Sequence, residues 1–418
     1  MTEPAPQSRR LLVRDLAQLA TPAPGSDPGP GPGAMRGTRA GDVVVVEDAY
    51  ILCEAGRIAA AGAMRELGPL DGDVEEIDGS GRCAIPGLVD CHTHACFAGD
   101  RLEEFALRAR GATYEELHAA GGGILSTVEA TRAAGEEALV HAVTCHRDAM
   151  RRHGTTTFEA KSGYGLDRET EVSSLRAIRP AGGVPTWLGA HAVPPEFDNA
   201  DEYLDFALAE VLPDAARVAE AADVFVERNA FDATQARRYL SACRDAGLAL
   251  RLHGDQFTEA GAIPLAVELG ARSVDHLEAT GGDGIRALAQ SDVTAVLLPA
   301  SALFLARPMP RARELLDRGA IVALATDFNP GSAYCESLPL IASLAATQLR
   351  MGLEEILCAL TVNPAHVLGR ADRKGRLAPG YDADVVLLGA PDWRYLAYHL
   401  AGDVVDGVLL GGEPIPLG

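Results

Sequence analysis

Five of the eleven histidines stand where they could share one task. His92 and His94 close the segment GLVDCHTH, His191 ends TWLGAH, His253 ends LALRLH and His276 ends SVDH, each at or just past the end of a short apolar run. Asp327 completes the pattern at the end of IVALATD. A lone histidine at such a place is more often a hydrogen-bonded structural residue, but five together with a carboxylate point to a site. Side chains two apart in an extended segment share a face, so the imidazoles of His92 and His94 can reach one ion. His253 and Asp327 add a third nitrogen and a hard oxygen, and a set of this kind leaves a position open for water. A divalent ion so held lowers the pKa of water towards roughly 7 and polarises a carbonyl, which is Lewis-acid hydrolysis. Three imidazoles and a carboxylate accept zinc or iron, so the expected cofactor is one ion per chain, Zn2+ or Fe2+/3+. The other histidines (His118, His141, His146, His153, His366 and His399) lie in helical or surface-like stretches and read as solvated or capping.

To bring these residues together the chain needs strands whose ends converge. Eight candidates are spaced along it, at 84–91, 155–160, 184–190, 223–228, 248–252, 272–275, 293–298 and 320–325, separated by helical patterns. The clearest helix is EEALVHAVTCHRDAMRRHG, where Leu139, Ala142, Val143 and Met150 share a face and Gly154 supplies the stop. Segments 234–247 and 263–270 behave alike. Runs such as AIVALAT are apolar throughout, as strands covered on both faces should be. The fold class expected is therefore α/β, a (β/α)8 TIM barrel with the site at its mouth. An open doubly wound sheet is the alternative, and no glycine fingerprint of the dinucleotide type follows the first strand to support it.

Residues 42–62, with a turn at Glu54-Ala55-Gly56, and the runs 383–389 and 404–415 near the other end read as short strands too few to bury a core separately. They are expected to meet in one small β-sandwich domain, residues 1–84 with 372–418, leaving 85–371 for the barrel. The Pro/Gly-rich stretch 22–34 reads as a surface loop.

A net charge of −22 and the lack of a Lys/Arg cluster argue against nucleic acid as a partner. Arg14, Asp15 and Gln18 interrupt the opening segment, so it lacks the apolar core of a signal peptide, and no apolar run is long enough to span a bilayer. The expectation is a cytoplasmic protein without membrane association. Its eight cysteines form no C-x-x-C motif and read mostly as small buried apolar residues. Lys161, just past the second strand, could bridge two metals as a carbamate, but AKSGYG reads better as a lysine closing a glycine loop that presents Tyr164 to the mouth.

The segments PGLVDCHTHACFAGDR, GGGILSTVEATRAA, EAKSGYGL, LGAHAVP, VDHLEAT and ATDFNPGS, in this order, resemble those of the amidohydrolase superfamily, in particular of its branch that opens an imidazolone ring in histidine degradation. The likeness runs from about Asp42 to Gly411. It implies hydrolysis of 4-imidazolone-5-propanoate to N-formimidoyl-L-glutamate, a small-molecule substrate and a homodimer. It puts the metal ligands on His92, His94, His253 and Asp327. Substrate contacts fall on Arg101, Tyr164 and His191, with Asn329, Gly331 and Ser332 from the loop after the last strand. An arginine fork, a phenol and an imidazole suit a propanoate tail, although Arg101 could equally pair with Glu103 or Glu104 on the surface.

One departure stands out. Many members of the branch have His-Ala-Asp-Glu where this chain has His253-Gly254-Asp255-Gln256. Gln256 cannot take a proton, though its amide can both donate to and accept from a ring. Proton handling then passes to Asp327 and His276, with Gln256 holding the substrate. Two alternatives remain at this point: a deaminase or cyclic-amide hydrolase acting on another small heterocycle, and a catalytically dead barrel serving as a binding protein. The second expects a broken ligand position, and all four are intact.

Overall fold

The computed structural model describes residues 10–24, 33–111, 123–228 and 230–417. His118, the first part of the GGGI segment and most of the Pro/Gly stretch lie outside the described residues.

Eight strands form one parallel sheet: β6 (Leu88–Asp90), β7 (Thr155–Lys161), β8 (Val184–Ala190), β9 (Ala221–Val226), β10 (Ala249–Gly254), β11 (Ser273–His276), β12 (Thr294–Leu297) and β13 (Ile321–Leu324). They neighbour one another in chain order, and the first and last meet beyond their ends. His94 N donates to Phe328 O at 2.8 Å and Asp327 N to His92 O at 3.1 Å. Asp90 ties the same seam, taking Thr326 Oγ1 at 2.6 Å. This is the expected barrel, and seven of its strands fall within a few residues of their expected places; the run expected as one strand at 84–91 divides at Gly87, its first half (Cys83–Pro86) joining the other sheet and only Leu88–Asp90 entering the barrel. The tier of wholly buried residues at Ile321–Leu324 and Val184–Ala190 explains the near-continuous apolar runs.

The helices between strands follow their sequence signals. Ala233–Asp245 opens with a capping box in which Asp232 accepts from Gln235 N and Gln235 from Asp232 N. Leu139, Val143 and Met150 are fully buried as their spacing requires, while Ala142 is only half-buried. That helix begins earlier than expected, at Ile124: two helical segments join at Gly135, whose φ of 75° breaks the regular path.

The terminal strands also meet. A second sheet runs in the order β16 (Glu413–Pro414), β15 (Val405–Leu410), β14 (Val385–Leu388), β5 (Cys83–Pro86), β1 (Arg10–Pro22), β2 (Val43–Glu54) and β3 (Arg57–Ala63), with β4 (Glu75–Asp78) also paired to β1. The join between the chain's two ends is the antiparallel pairing of β14 with β5. Alternate residues of the strands enclose a core that includes Leu11, Val13, Ile51, Cys53, Val385 and Leu409. On the opposite face Leu12, Tyr50 and Leu52 form a smaller cluster. Strand β1, absent from the sequence reading, holds the sheet together: its thirteen residues pair with β2, β4 and β5. Its apolar pattern is interrupted at Asp15, a bulge with φ of 56°, and this break is what hid it. Pro22, read as loop, is its last residue.

By density of contacts the described residues fall into two units, those within 1–89, 150–157 and 337–418 and those within 90–149 and 158–336. All eight cysteines are free and six are buried; Cys145 is exposed and Cys335 intermediate. Of the histidines read as surface or capping, His141 and His399 are exposed, but His366 is buried, set in the helix Val362–Val367 where almost every neighbour is buried too.

Candidate active site

The barrel strands deliver their end residues to one place. His92 and His94 follow β6, His253 is the fifth residue of β10, His276 ends β11 and Asp327 follows β13. All five are 3% exposed or less. Asp327 Oδ1 lies 3.4 Å from His92 Nε2 and 3.5 Å from His94 Nε2, and His94 Nε2 lies 3.2 Å from His253 Nε2. A four-coordinate ion with bonds of about 2.1 Å spaces its ligand atoms about 3.4 Å apart, so these separations suit one. His92 Nε2 is buried with no hydrogen-bond partner among the described residues, another mark of a nitrogen kept for a ligand. The groupings His92, His94, Asp327 and His92, His253, His276 each offer ligand atoms within 4.8 Å of one another. The donor set is hard and borderline rather than thiolate-rich, as hydrolytic metals want.

Burial pushes His92 and His94 well below the usual imidazole range, and neighbouring cations add to this. Burial also takes His191 down to about 3. These rings are neutral, with lone pairs free to bind. His276 differs: burial would lower it too, but Glu278, Asp327 and Asp275 around it carry it above its ordinary value.

Beneath the histidines lies a tier of buried charges that the sequence reading missed. Asp275 Oδ2 accepts from His92 Nδ1 at 2.5 Å, and Asp223 Oδ1 from His253 Nδ1 at 3.1 Å. Each carboxylate occupies Nδ1, which fixes the tautomer and leaves Nε2 for the cluster. Lys161 is fully buried and bridges Glu159 Oε1 at 2.7 Å and Asp223 Oδ2 at 2.8 Å, while Arg251 reaches Glu159 at 3.0 Å. Burial opposes its charge, yet Asp223 and Glu159 raise Lys161 above the ordinary lysine value. A carbamate needs the neutral amine, so this environment disfavours the bridging role considered for it. The reading of Lys161 as a loop-closing residue is also corrected: it is the last residue of β7 and points into the barrel's charged tier. The signal was present in the sequence. Asp90, Glu159, Lys161, Asp223, Arg251 and Asp275 are charges inside runs otherwise apolar, and such charges are buried only when paired.

The residues read as substrate contacts lie around the rim. Tyr164 is 4% exposed, with its ring 5.9 Å from that of His94 and 5.4 Å from that of His191. Its loop is pinned by the carboxylate of Glu171, which accepts from the backbone N–H of Gly163, Gly165 and Leu166 at 2.8–3.1 Å. Gly163 has φ of 99°, and a Cβ there would strike Leu188 O, so the KSGYGL loop needs glycine at that point. His191 Nδ1 donates to Gly163 O at 2.9 Å, and its ring stacks 5.4 Å from that of His94. Gln256 is 7% exposed, just past β10. Asn329 shapes the loop after β13: its Oδ1 takes Gly331 N at 2.8 Å and Ser332 N at 2.7 Å. Ser332 Oγ comes within 3.4 Å of Asp327 Oδ2. Arg101 pairs with Glu104, Nη2 to Oε2 at 2.5 Å, so the ion pair weighed against substrate contact is formed. The pair is not a surface one, however: the two side chains are 14% and 10% exposed. The guanidinium lies so close over Gly331 that any Cβ there would run into it. Arg101 and Asp327 both act electrostatically on the Tyr164 hydroxyl.

A crevice of about 890 Å3 elsewhere in this unit, lined by Arg132, Asp167, Arg168, Arg176 and Asp214 among others, shares none of these residues. Arg132 and Arg168 there are already paired with acids.

The parallel barrel and histidine cluster agree with what comparison finds. Residues 108–416 match the model of the amidohydrolase family, and the chain belongs to that family. Within it the chain groups with the imidazolonepropionases. The imidazolonepropionase of Rubrobacter xylanophilus is 58% identical over 418 residues, covering 98% of this chain and 99% of its own. That of Chloroflexus aggregans is 44% identical over 424 residues, covering 97% and 98%. Among solved structures, an adenosine deaminase from Xanthomonas campestris with bound zinc matches at a TM-score of 0.71 and 18% identity, over 98% of this chain and 93% of its own. A triazine hydrolase variant matches at 0.71 and 19%, over 97% and 94%. At that identity the two structures speak for the fold alone.

Proposed function

We infer that this chain is a hydrolase that opens the cyclic amide of 4-imidazolone-5-propanoate to give N-formimidoyl-L-glutamate, a step of histidine breakdown. The observation that carries this reading is the likeness to imidazolonepropionases over nearly the whole of both chains, at 58% identity. The residue roles are our proposal. His92, His94, His253 and Asp327 hold one zinc or iron ion, which when bound supplies Lewis acidity for the water and the ring carbonyl. Arg101, Tyr164 and His191 take the propanoate, and the Asn329, Gly331 and Ser332 loop closes over that side. Gln256 holds the ring through its amide.

In the reaction the oxygen of water bonds to the ring carbonyl carbon, and the bond from that carbon to the ring nitrogen breaks. The carbonyl carbon leaves as the new carboxylate, and the nitrogen as the imine end of the formimidoyl group. Water gives up a proton, which Asp327 Oδ accepts, and the departing nitrogen gains one, for which His276 is the donor or relay. His276 fits because the acids around it raise it above its ordinary value while burial lowers His92 and His94. Cytoplasmic location and a homodimer belong to the same proposal. Among the described residues no helix is long and apolar enough to cross a membrane.

The test is to incubate metal-loaded protein with freshly generated 4-imidazolone-5-propanoate and follow its ultraviolet absorbance. Loss of absorbance with formation of N-formimidoyl-glutamate is expected. A chain that leaves this compound intact but deaminates or opens another heterocycle would overturn the substrate assignment.

A further inference from the structure

At the end of β11 the backbone takes an unfavourable path. His276 and Leu277, neither of them glycine, stand in succession in the left-handed region with φ of 85° and 72°. Such strain persists only where the surroundings impose it, and it gathers at functional sites. Here the turn is held from β10: Leu277 N donates to Gly254 O at 3.2 Å and Ala279 N to Asp255 O at 2.7 Å. The path returns Glu278 alongside His276, with Oε1 3.5 Å from Nδ1 and both side chains 2% exposed.

Neither oxygen of Glu278, nor His276 Nδ1, has a hydrogen-bond partner among the described residues. A buried carboxylate left unpaired is costly unless something uses it. Its field reaches the centre of the site, since Glu278 bears on Asp327 as well as on His276. The His276 ring in turn stands 5.7 Å from that of His92 and 5.4 Å from that of His253. Across the mouth, His92 and His253 show the completed form of the same arrangement, each with an aspartate on Nδ1. His276 with Glu278 is a third such pair, placed on a ring that our ligand assignment does not use.

We propose that Glu278 is a positioning residue for the ring opening: it accepts the Nδ1 hydrogen of His276 and so keeps Nε2 as the nitrogen that meets water or the departing ring nitrogen. This rests on the hydrolase reading above. Because Gln256 does not carry a proton, the orientation of His276 matters more here than where a carboxylate stands at that position.

The test combines kinetics with nitrogen NMR on metal-loaded protein labelled with 15N at histidine, the His276 signals being assigned by their loss in His276→Gln. Glu278→Met removes the acceptor while keeping the bulk; Glu278→Gln keeps an acceptor oxygen and removes the charge. Wild type is expected to show hydrogen on His276 Nδ1. Glu278→Met should lose that signal and at least about tenfold in kcat, with KM and metal content little changed. Glu278→Gln should recover most of both. A Met variant with wild-type kcat, or a Gln variant as impaired as the Met variant, would overturn the proposal. If Glu278→Met does not fold, the wild-type spectrum decides alone, since a His276 Nδ1 bare of hydrogen contradicts the pairing. If wild type fails to open the imidazolone, the hydrolase reading falls, while the spectrum still tests the pair.

Discussion

Val13, Ile51 and Val385 in the terminal sheet are as completely buried as His92, Glu159 and Asp275 in the barrel, at 0% exposure each. The first set is apolar and closely surrounded by its own kind. Burying it is favourable in itself, by about 25 cal/mol for each Å2 withdrawn from water. The second set consists of groups that lose hydration on burial and recover it only through paired charges and fixed hydrogen bonds. Left-handed backbone occurs in both regions, at Asp15, Asp48 and Ala55 in the terminal sheet as well as at the mouth. Asp255, His276, Leu277 and Asp327 at the barrel mouth all have positive φ without being glycine. One region gathers what stabilises the fold, and the other holds what the fold must tolerate for chemistry to be possible.

Substitutions should separate the two regions. The largest effect on turnover is expected from Asp327→Asn, which removes a ligand charge and the proposed base together. Loss of a general base alone commonly costs about 10²–10⁴-fold in kcat, yet Tm of the metal-free protein should not fall, because a buried carboxylate raised by its own burial is given up. Near-wild-type kcat with metal still bound would remove Asp327 from the mechanism. Arg101→Ala should come next, lowering kcat/KM by at least roughly 30-fold if the guanidinium holds the substrate carboxylate. Arg101→Lys should also be impaired, since it keeps the charge without the fork. Unchanged kinetics in Arg101→Ala would leave that residue with its Glu104 pair and nothing more.

The opposite signature belongs to the terminal sheet. Ile51→Ala should cost about 2–5 kcal/mol of stability in a denaturation experiment, while kcat of the folded fraction stays unchanged. A large loss of kcat without loss of stability there would erase the contrast between the regions. The smallest effect is expected from Gln256→Glu: the enzyme should remain active and its pH–rate profile should gain one ionisation. An unaltered profile would mean that position 256 does not meet the reacting groups.

How much of this was legible beforehand differs between the same two regions. The eight barrel strands and the five end-of-strand histidines could be read because parallel strands covered on both faces give unbroken apolar runs, and a histidine closing such a run is conspicuous. The β2–β3 hairpin could be read from its turn at Glu54-Ala55-Gly56. Strand β1 could not, because its bulge at Asp15 puts Arg14 and Asp15 where alternation would want apolar residues. Nor did spacing reveal which carboxylate serves which histidine: Asp275 and His92 are 183 residues apart, Asp223 and His253 are 30. Charges inside apolar strands announce a buried network, but only the closed barrel pairs its members. Glu278 was hidden for another reason. In VDHLEAT it lies past the strand end, and only the two left-handed residues before it bring it back to the site.

The central claim, that one ion held by His92, His94, His253 and Asp327 enables the ring opening, is tested most directly by reconstitution. Chelator-stripped protein is titrated with zinc or iron while turnover of 4-imidazolone-5-propanoate is followed. The account predicts negligible turnover without metal, and a linear rise that ends at about one equivalent per chain. Full turnover by the stripped protein, or a rise continuing to two equivalents, would contradict it.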